Sequence, residues 1–224
     1  QSVDAMRAVG ILAGTGAVVE DVVVPAASSD NDLPLTPSQS EVWMTSQLGR
    51  AASCCFNESV SLDLDGPLDM PALQRAVDQV IARHDGLRMV FARNGETFQI
   101  MEPFSLVLEQ HDVSDAADPA SALNALLSDD AAKEIDIVAG PPIRGFVVRK
   151  ADDAHVLVLS AHHIVCDGWS FNVLATDLAT LYTQETTGST AEMSPAPAFA
   201  AYAQTQHAED ASEKTRTFWK SLFA

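Results

Sequence analysis

The chain has 224 residues, 47% of them apolar, and a formal net charge of −18 from 31 acids against 13 bases. That apolar share sustains the core of one large domain or two small ones and excludes wholesale disorder. The acid excess excludes a nucleic-acid partner, which needs clustered Lys and Arg, and no run of 18 apolar residues exists to span a membrane.

The three cysteines, Cys54, Cys55 and Cys166, are odd in number and lack zinc spacing, so a reducing, cytoplasmic setting is expected. The stretch MRAVGILAGTGAVV (6–19) has the outline of a signal-peptide core. Asp4 before it and Glu20 and Asp21 after it argue against secretion. A start at Gln1 fits a piece of a longer polypeptide. Residues 25–37, PAASSDNDLPLTP, read as a linker. Residues 1–32 are therefore expected to be an interdomain linker or lead-in, and residues 33–224 the folded unit.

Within that unit the pattern alternates between element types. TPSQSEVWMTSQLG (36–49) opens with Thr36 as a helix N-cap and Pro37 at the first helical position. ASCCFNES (52–59) reads as a loop entering a strand, and ESVSLDLDG (58–66) alternates as a strand with one buried face. In DMPALQRAVDQVIARHDGL (69–87) Asp69 caps a second helix, whose apolar stripe is Leu73, Val77, Val80 and Ile81 and whose stop is Gly86. RMVFARNGETFQIM (88–101) predicts a hairpin with a type I′ turn at Asn94–Gly95. A strand over SLVLEQHDV and a helix over PASALNALLSDDAAKEI follow. IRGFVVRKADDAHVLVLSAHHIV (143–165) predicts a second hairpin turning at Asp152–Asp153, then an amphipathic helix from Ser170 and a final helix over 197–224. Helices alternating with strands predict an α/β layered domain on a mixed sheet.

The chemistry concentrates in SAHHIVCDGWS (160–170), at the end of the outgoing hairpin arm. His162 and His163 are adjacent on a strand, so their side chains point to opposite faces and cannot share one metal. One faces the core. The other faces a cleft at the strand-to-helix turn, where a histidine can accept a proton near neutral pH. Asp167 has two readings: it orients the histidine, or it pairs with an arginine and holds the turn. Gly168 permits a close backbone approach or a positive φ at the start of the next helix. By pattern alone the motif also fits a core histidine pair plus a helix cap. Nothing marks Cys166 as a stabilised thiolate.

Two upstream stretches change the weight of this motif. LPLTPSQSEVWMTSQLG (33–49), RHDGLRMVF (83–91) and AHHIVCDGWS (161–170) resemble, in order, the first three core motifs of condensation domains from nonribosomal peptide synthetases. ASCCFNES resembles the equivalent stretch of condensation domains that follow polyketide modules. The resemblance implies a chloramphenicol-acetyltransferase-like α/β fold, with two such subdomains forming a V. It implies amide bond formation between carrier-bound acyl and aminoacyl thioesters. His163 is then the catalytic residue, His162 its core-facing support, and Asp167 the partner of Arg83 in a buried ion pair, with Gly168 supporting the turn. Trp169 and Ser170 fall where a substrate channel would run.

No directly bound cofactor or metal is implied, because phosphopantetheine arms of donor and acceptor carrier proteins bring the substrates. Domains of this family run about twice the matched length, so 33–224 is expected to be the N-terminal subdomain, its C-terminal partner subdomain missing and the fragment alone inactive. The alternative from the same signature is a trimeric, acetyl-CoA-dependent O-acetyltransferase of the chloramphenicol acetyltransferase type.

Overall fold

The computed structural model describes residues 7–8, 32–210 and 213–223. The signal-like stretch and most of the lead-in lie outside the described residues, apart from strand β1, Arg7–Ala8. The end of the expected linker is structured. Leu33–Pro34 forms strand β2 by antiparallel pairing with Thr97 and Phe98, and Thr36, in extended backbone, caps helix α1, Pro37–Ser46. That cap is a reciprocal box: Thr36 Oγ1 accepts from the Gln39 backbone N–H at 3.2 Å, and Gln39 Oε1 accepts from the Thr36 N–H at 3.1 Å.

A short helix α2, Arg50–Cys54, leads into strand β3, Asn57–Asp65. Helix α3, Met70–Arg83, starts at Asp69, whose side chain accepts from the Ala72 N–H. It stops at His84 rather than at Gly86, which instead sits in a 3-10 turn over Asp85–Arg88. The stop has a physical cause in Arg88, whose guanidinium donates to the carbonyls of Ile81 and Ala82 at the end of the helix.

Strands β4, Met89–Phe91, and β5, Thr97–Ile100, form the first hairpin. Its turn is not type I′, which needs positive φ at both central residues. Gly95 has φ +70, no other residue type among those described has positive φ, and the Gly95 N–H donates to the Ala92 carbonyl at 2.9 Å. Trp43 packs over this turn so closely that a Cβ on Gly95 would lie 2.4 Å from its ring.

Strand β6, Glu109–Asp112, and helix α4, Pro119–Ala131, precede the long hairpin of β7, Ile143–Ala151, and β8, Ala154–His162, which turns at Asp152–Asp153 as the sequence predicts. Helix α5, Gly168–Thr187, follows the motif. The expected final helix is described as α6, Phe199–Asp210, and α7, Glu213–Leu222.

Among the described residues the strands make two sheets. The larger runs β1-β3-β8-β7-β6, antiparallel except for the parallel β6–β7 pair, and the smaller runs β2-β5-β4. Strand β8 is central and covered on both faces, which is why every residue from Val156 to His162 is buried. Leu157 and Leu159 point to the layer of α3 and α5, where they meet Leu73, Val77, Ile81, Leu174 and Leu178. Val156 and Val158 point to the other layer, against Phe146, Val148 and the α4 leucines. Each such side chain contributes about 1.5–3 kcal/mol by leaving water. A third cluster joins Met89, Phe91 and Phe98 of the small sheet to Leu35 and Ile164, so the loop after β8 is clamped by residues from the first hairpin.

Candidate active site

The site forms where β8 runs out. Strand β3 pairs with β8 in a register that sets Asn57 opposite His162 and Glu58 opposite Ala161. The ladder goes one step further, because the His163 N–H donates to the Phe56 carbonyl at 2.7 Å. Strand geometry therefore still governs both histidines, and their side chains part to opposite faces as expected.

His162 is wholly buried. Its Nδ1 accepts from the Ile164 backbone N–H at 3.2 Å, which tightens the turn and puts the ring proton on Nε2. That Nε2 has no hydrogen-bond partner among the described residues, and the Phe56 ring lies 5.8 Å away. Burial, with a smaller contribution from His163, lowers its pKa to about 4. His162 is a neutral core residue at physiological pH.

His163 remains 40% exposed. Among the described residues both polar contacts of its ring run through Nδ1, which lies 3.1 Å from the Cys166 carbonyl and 2.8 Å from Glu58 Oε1. A carbonyl only accepts, so Nδ1 carries a proton, and Nε2 is the nitrogen left without a contact among the described residues. Glu58 is a residue the sequence reading missed. It lies in phase with Val60, Leu62 and Leu64 on the apolar side of β3, and an acid on that stripe was the available signal. Burial raises its pKa above the ordinary carboxylate value; the His163 charge opposes the rise and Asp167 adds to it.

Asp167 takes neither of the roles considered for it. It is the N-cap of α5, and its Oδ1 accepts both the Ser170 N–H at 2.7 Å and the Ser170 hydroxyl at 2.6 Å. Those bonds hold its pKa below the ordinary carboxylate value. The expected Arg83–Asp167 ion pair is not formed: Arg83 Nε donates instead to Asp177 Oδ2 at 2.7 Å, and its Nη2 to the Ser194 carbonyl. Asp177 lies in the middle of α5, where it faces the last turn of α3. The N-cap Asp167 is already engaged by the helix it starts.

Gly168 has no positive φ, and a Cβ there would meet open space, so the fold itself does not require glycine at this position. Trp169 stands 78% exposed on the first turn of α5. The Ser170 hydroxyl is engaged with Asp167 rather than presented to a channel. Cys166 is buried, and burial first, then the charges of Glu58 and Asp167, push its thiol up to about 12. It is no thiolate near neutral pH.

The three sequence motifs meet here. Gln39 of α1 donates through Nε2 to the Ile164 carbonyl at 3.2 Å. Leu87 of the 3-10 turn shares a core cluster with Cys166, and Gly86 lies against the Val165 carbonyl. An open groove of about 770 Å³ between α4, β6 and β7, lined among others by His111, Asp130, Lys133 and Arg144, contains none of these site residues.

The condensation-domain family profile matches residues 29–224. Malpinin synthetase of Mortierella alpina is 30% identical over 209 residues, 91% of this chain and 3% of that protein. An isonitrile lipopeptide synthase of Mycobacterium tuberculosis is 38% identical over 180 residues, 77% of this chain and 7% of that protein. The crystal structure of the starter condensation domain of rhizomide synthetase aligns with a TM-score of 0.78 at 21% identity, over 87% of this chain and 48% of that one. That last likeness speaks to the fold. The chain thus spans about half of a solved condensation domain and a few per cent of the curated synthetases it matches. The profile match includes all three motifs and decides between the two readings of the histidine signature, against the trimeric acetyltransferase. The chain belongs to the condensation-domain family.

Proposed function

We propose that residues 33–224 are the N-terminal half of a domain that forms amide bonds between carrier-bound thioesters in nonribosomal peptide synthesis, with His163 as the working residue. The observation that carries this reading is the His163 ring, tethered through Nδ1 and open at Nε2, at the meeting point of three motifs that lie far apart in sequence.

In the reaction, the acceptor's α-amine attacks the donor's thioester carbonyl. As the C–N bond forms, an amine proton passes to His163 Nε2. As the C–S bond breaks, that proton is handed to the departing sulfur, leaving an amide and a phosphopantetheine thiol. General base assistance of this kind is worth about 10²–10⁴ in rate. An α-amine with a pKa near ~8 already has a usable neutral fraction at pH 7, so holding the two tethered reactants together supplies a large share of the acceleration.

Donor and acceptor carrier proteins are the partners, their phosphopantetheine arms replacing a bound cofactor, and residues 1–32 lead in from an upstream unit. Trp169 would line the passage to His163, and the missing Cβ of Gly168 would let a substrate approach the backbone there. A second subdomain would supply the facing wall of the cleft. Among the described residues no helix is long and apolar enough to cross a membrane, and a cytoplasmic location goes with this reading.

The test is His163→Ala in the complete condensation domain, with both carriers loaded. Product formation should fall about 10²-fold or more while the fold is kept, because an exposed side chain carries little packing. Product at the wild-type rate would remove His163 from the mechanism.

A further inference from the structure

Glu58 comes from a strand that carries none of the three motifs, yet it meets His163 at Nδ1, the ring nitrogen opposite the one proposed to take the amine proton. Its side chain is 23% exposed and its Oε1 is 2.8 Å from His163 Nδ1. Its other oxygen, Oε2, is buried and has no hydrogen-bond partner among the described residues. We propose that Glu58 is a positioning residue for His163, a fixed countercharge that stabilises the imidazolium formed when Nε2 takes the amine proton. The inference rests on His163 being the working base and adds to it a second residue, acting through the first.

The geometry supplies the reason. A carboxylate taken out of water needs a positive charge or donors to compensate it. Of the charged groups that act on Glu58, His163 favours its ionised form and Asp167 opposes it. The other titratable groups around the pair are neutral, since His162 is held uncharged by burial and the Cys166 thiol is pushed up. Glu58 and His163 therefore depend on each other, and protonation at Nε2 is the event that completes the pair. The hydrogen bond from Nδ1 to the Cys166 carbonyl fixes the ring plane, so the carboxylate acts through charge rather than by choosing the tautomer. The bond from the His163 N–H to the Phe56 carbonyl, two residues before Glu58, holds both residues at fixed separation before substrate arrives.

Glu58→Gln in the complete domain keeps the shape and removes the charge. With both carriers loaded, kcat should fall about tenfold or more, the scale of an adjacent charge on a proton equilibrium, while KM for the acceptor carrier stays within twofold. Glu58→Asp, which keeps the charge, should recover part of the loss. The decisive measurement is the same substitution in the His163→Ala background, where it should cost nothing further. An equal loss in both backgrounds would show that Glu58 acts on its own and overturn the inference. Wild-type kcat in Glu58→Gln, with His163→Ala inactive, would also overturn it and leave the reading of His163 standing. Wild-type activity in His163→Ala would fell that reading and this inference together. Should Glu58→Gln fail to fold, a carbon-13 NMR titration of the Glu58 carboxyl in the 224-residue chain gives a second measurement. His163→Gln should move its midpoint to higher pH, and an unmoved midpoint would overturn the coupling.

Discussion

Arg83 Nε lies 2.7 Å from Asp177 Oδ2, and the same oxygen is 2.8 Å from His84 Nε2, so the end of α3 is fastened to the middle of α5 by one carboxylate. The Arg83 and Asp177 side chains are 23% and 14% exposed, between a surface pair and a buried one.

Removing that carboxylate should therefore cost an intermediate amount. Surface pairs contribute about 0–1 kcal/mol and breaking a buried pair costs about 3–5 kcal/mol, which places Asp177→Ala near ~2 kcal/mol. Urea denaturation of the 224-residue chain would read it as a lower midpoint at constant slope. An unmoved midpoint would show that the tie between α3 and α5 is dispensable.

Asp167→Ala should cost less, about 1 kcal/mol, the usual worth of a helix N-cap, and Asp167→Asn should keep most of it. The bonds from Ser170 depress the Asp167 pKa, so its contribution is present above the ordinary carboxylate value and fades as pH falls through the depressed one. Denaturation at pH 7 and below pH ~3 would show the Asp167→Ala deficit shrinking at the acid end. A loss as large as that of a broken buried ion pair would restore the role in which Asp167 partners an arginine.

His162 supplies a pH dependence of opposite chemistry and the same sign. Its pKa is 6.5 ordinarily and about 4 in the fold. Between those values the unfolded chain binds a proton that the folded chain refuses. Stability is thus fully present above pH 6.5 and falls on acidification toward pH 4. At about 1.4 kcal/mol per unit, the full separation corresponds to about 3 kcal/mol. His155, also lowered by burial, adds to the fall, whereas the raised Glu58 works against it just above the ordinary carboxylate value. Unfolding free energies measured at pH 7, 6 and 5 should decline, and more shallowly in His162→Leu. Equal slopes in the two proteins would mean that His162 takes up its proton inside the fold.

Cys166 should resist alkylation in the native chain. It is buried with its thiol pushed up to about 12, whereas Cys55 is exposed. Iodoacetamide at pH 8 followed by peptide mass spectrometry should label Cys55 promptly and Cys166 only after denaturation. Rapid native labelling of Cys166 would reopen it as a nucleophile beside His163.

The sequence by itself determined the elements and the address of the site. Periodicity and caps are local: Asp69 before Met70–Pro71, Thr36 before Pro37, and alternation through Glu58–Asp65 each draw on a few neighbouring residues, so their elements formed where expected. The same locality fixed the opposite facing of His162 and His163, because side chains on a strand alternate whatever packs on them. Three short motifs in order were enough to point to the family.

What the tertiary structure decided were the pairings. Arg83 is 84 residues from Asp167 and 94 from Asp177 in sequence, and only the packing of α3 on α5 selects the second. Asp167 was already satisfied by a local cap, so no long-range partner was needed. Glu58 became part of the site because antiparallel register carries β3 past the end of β8, a relation between segments more than a hundred residues apart that no local pattern encodes. The turn at Asn94–Gly95 went the same way: a local signal named the glycine correctly, but the Trp43 ring stacked over it, from another element, shares in setting which turn it makes. Local propensity selects elements because its energy is local; partners are chosen by burial and charge across the core, which depend on the whole fold.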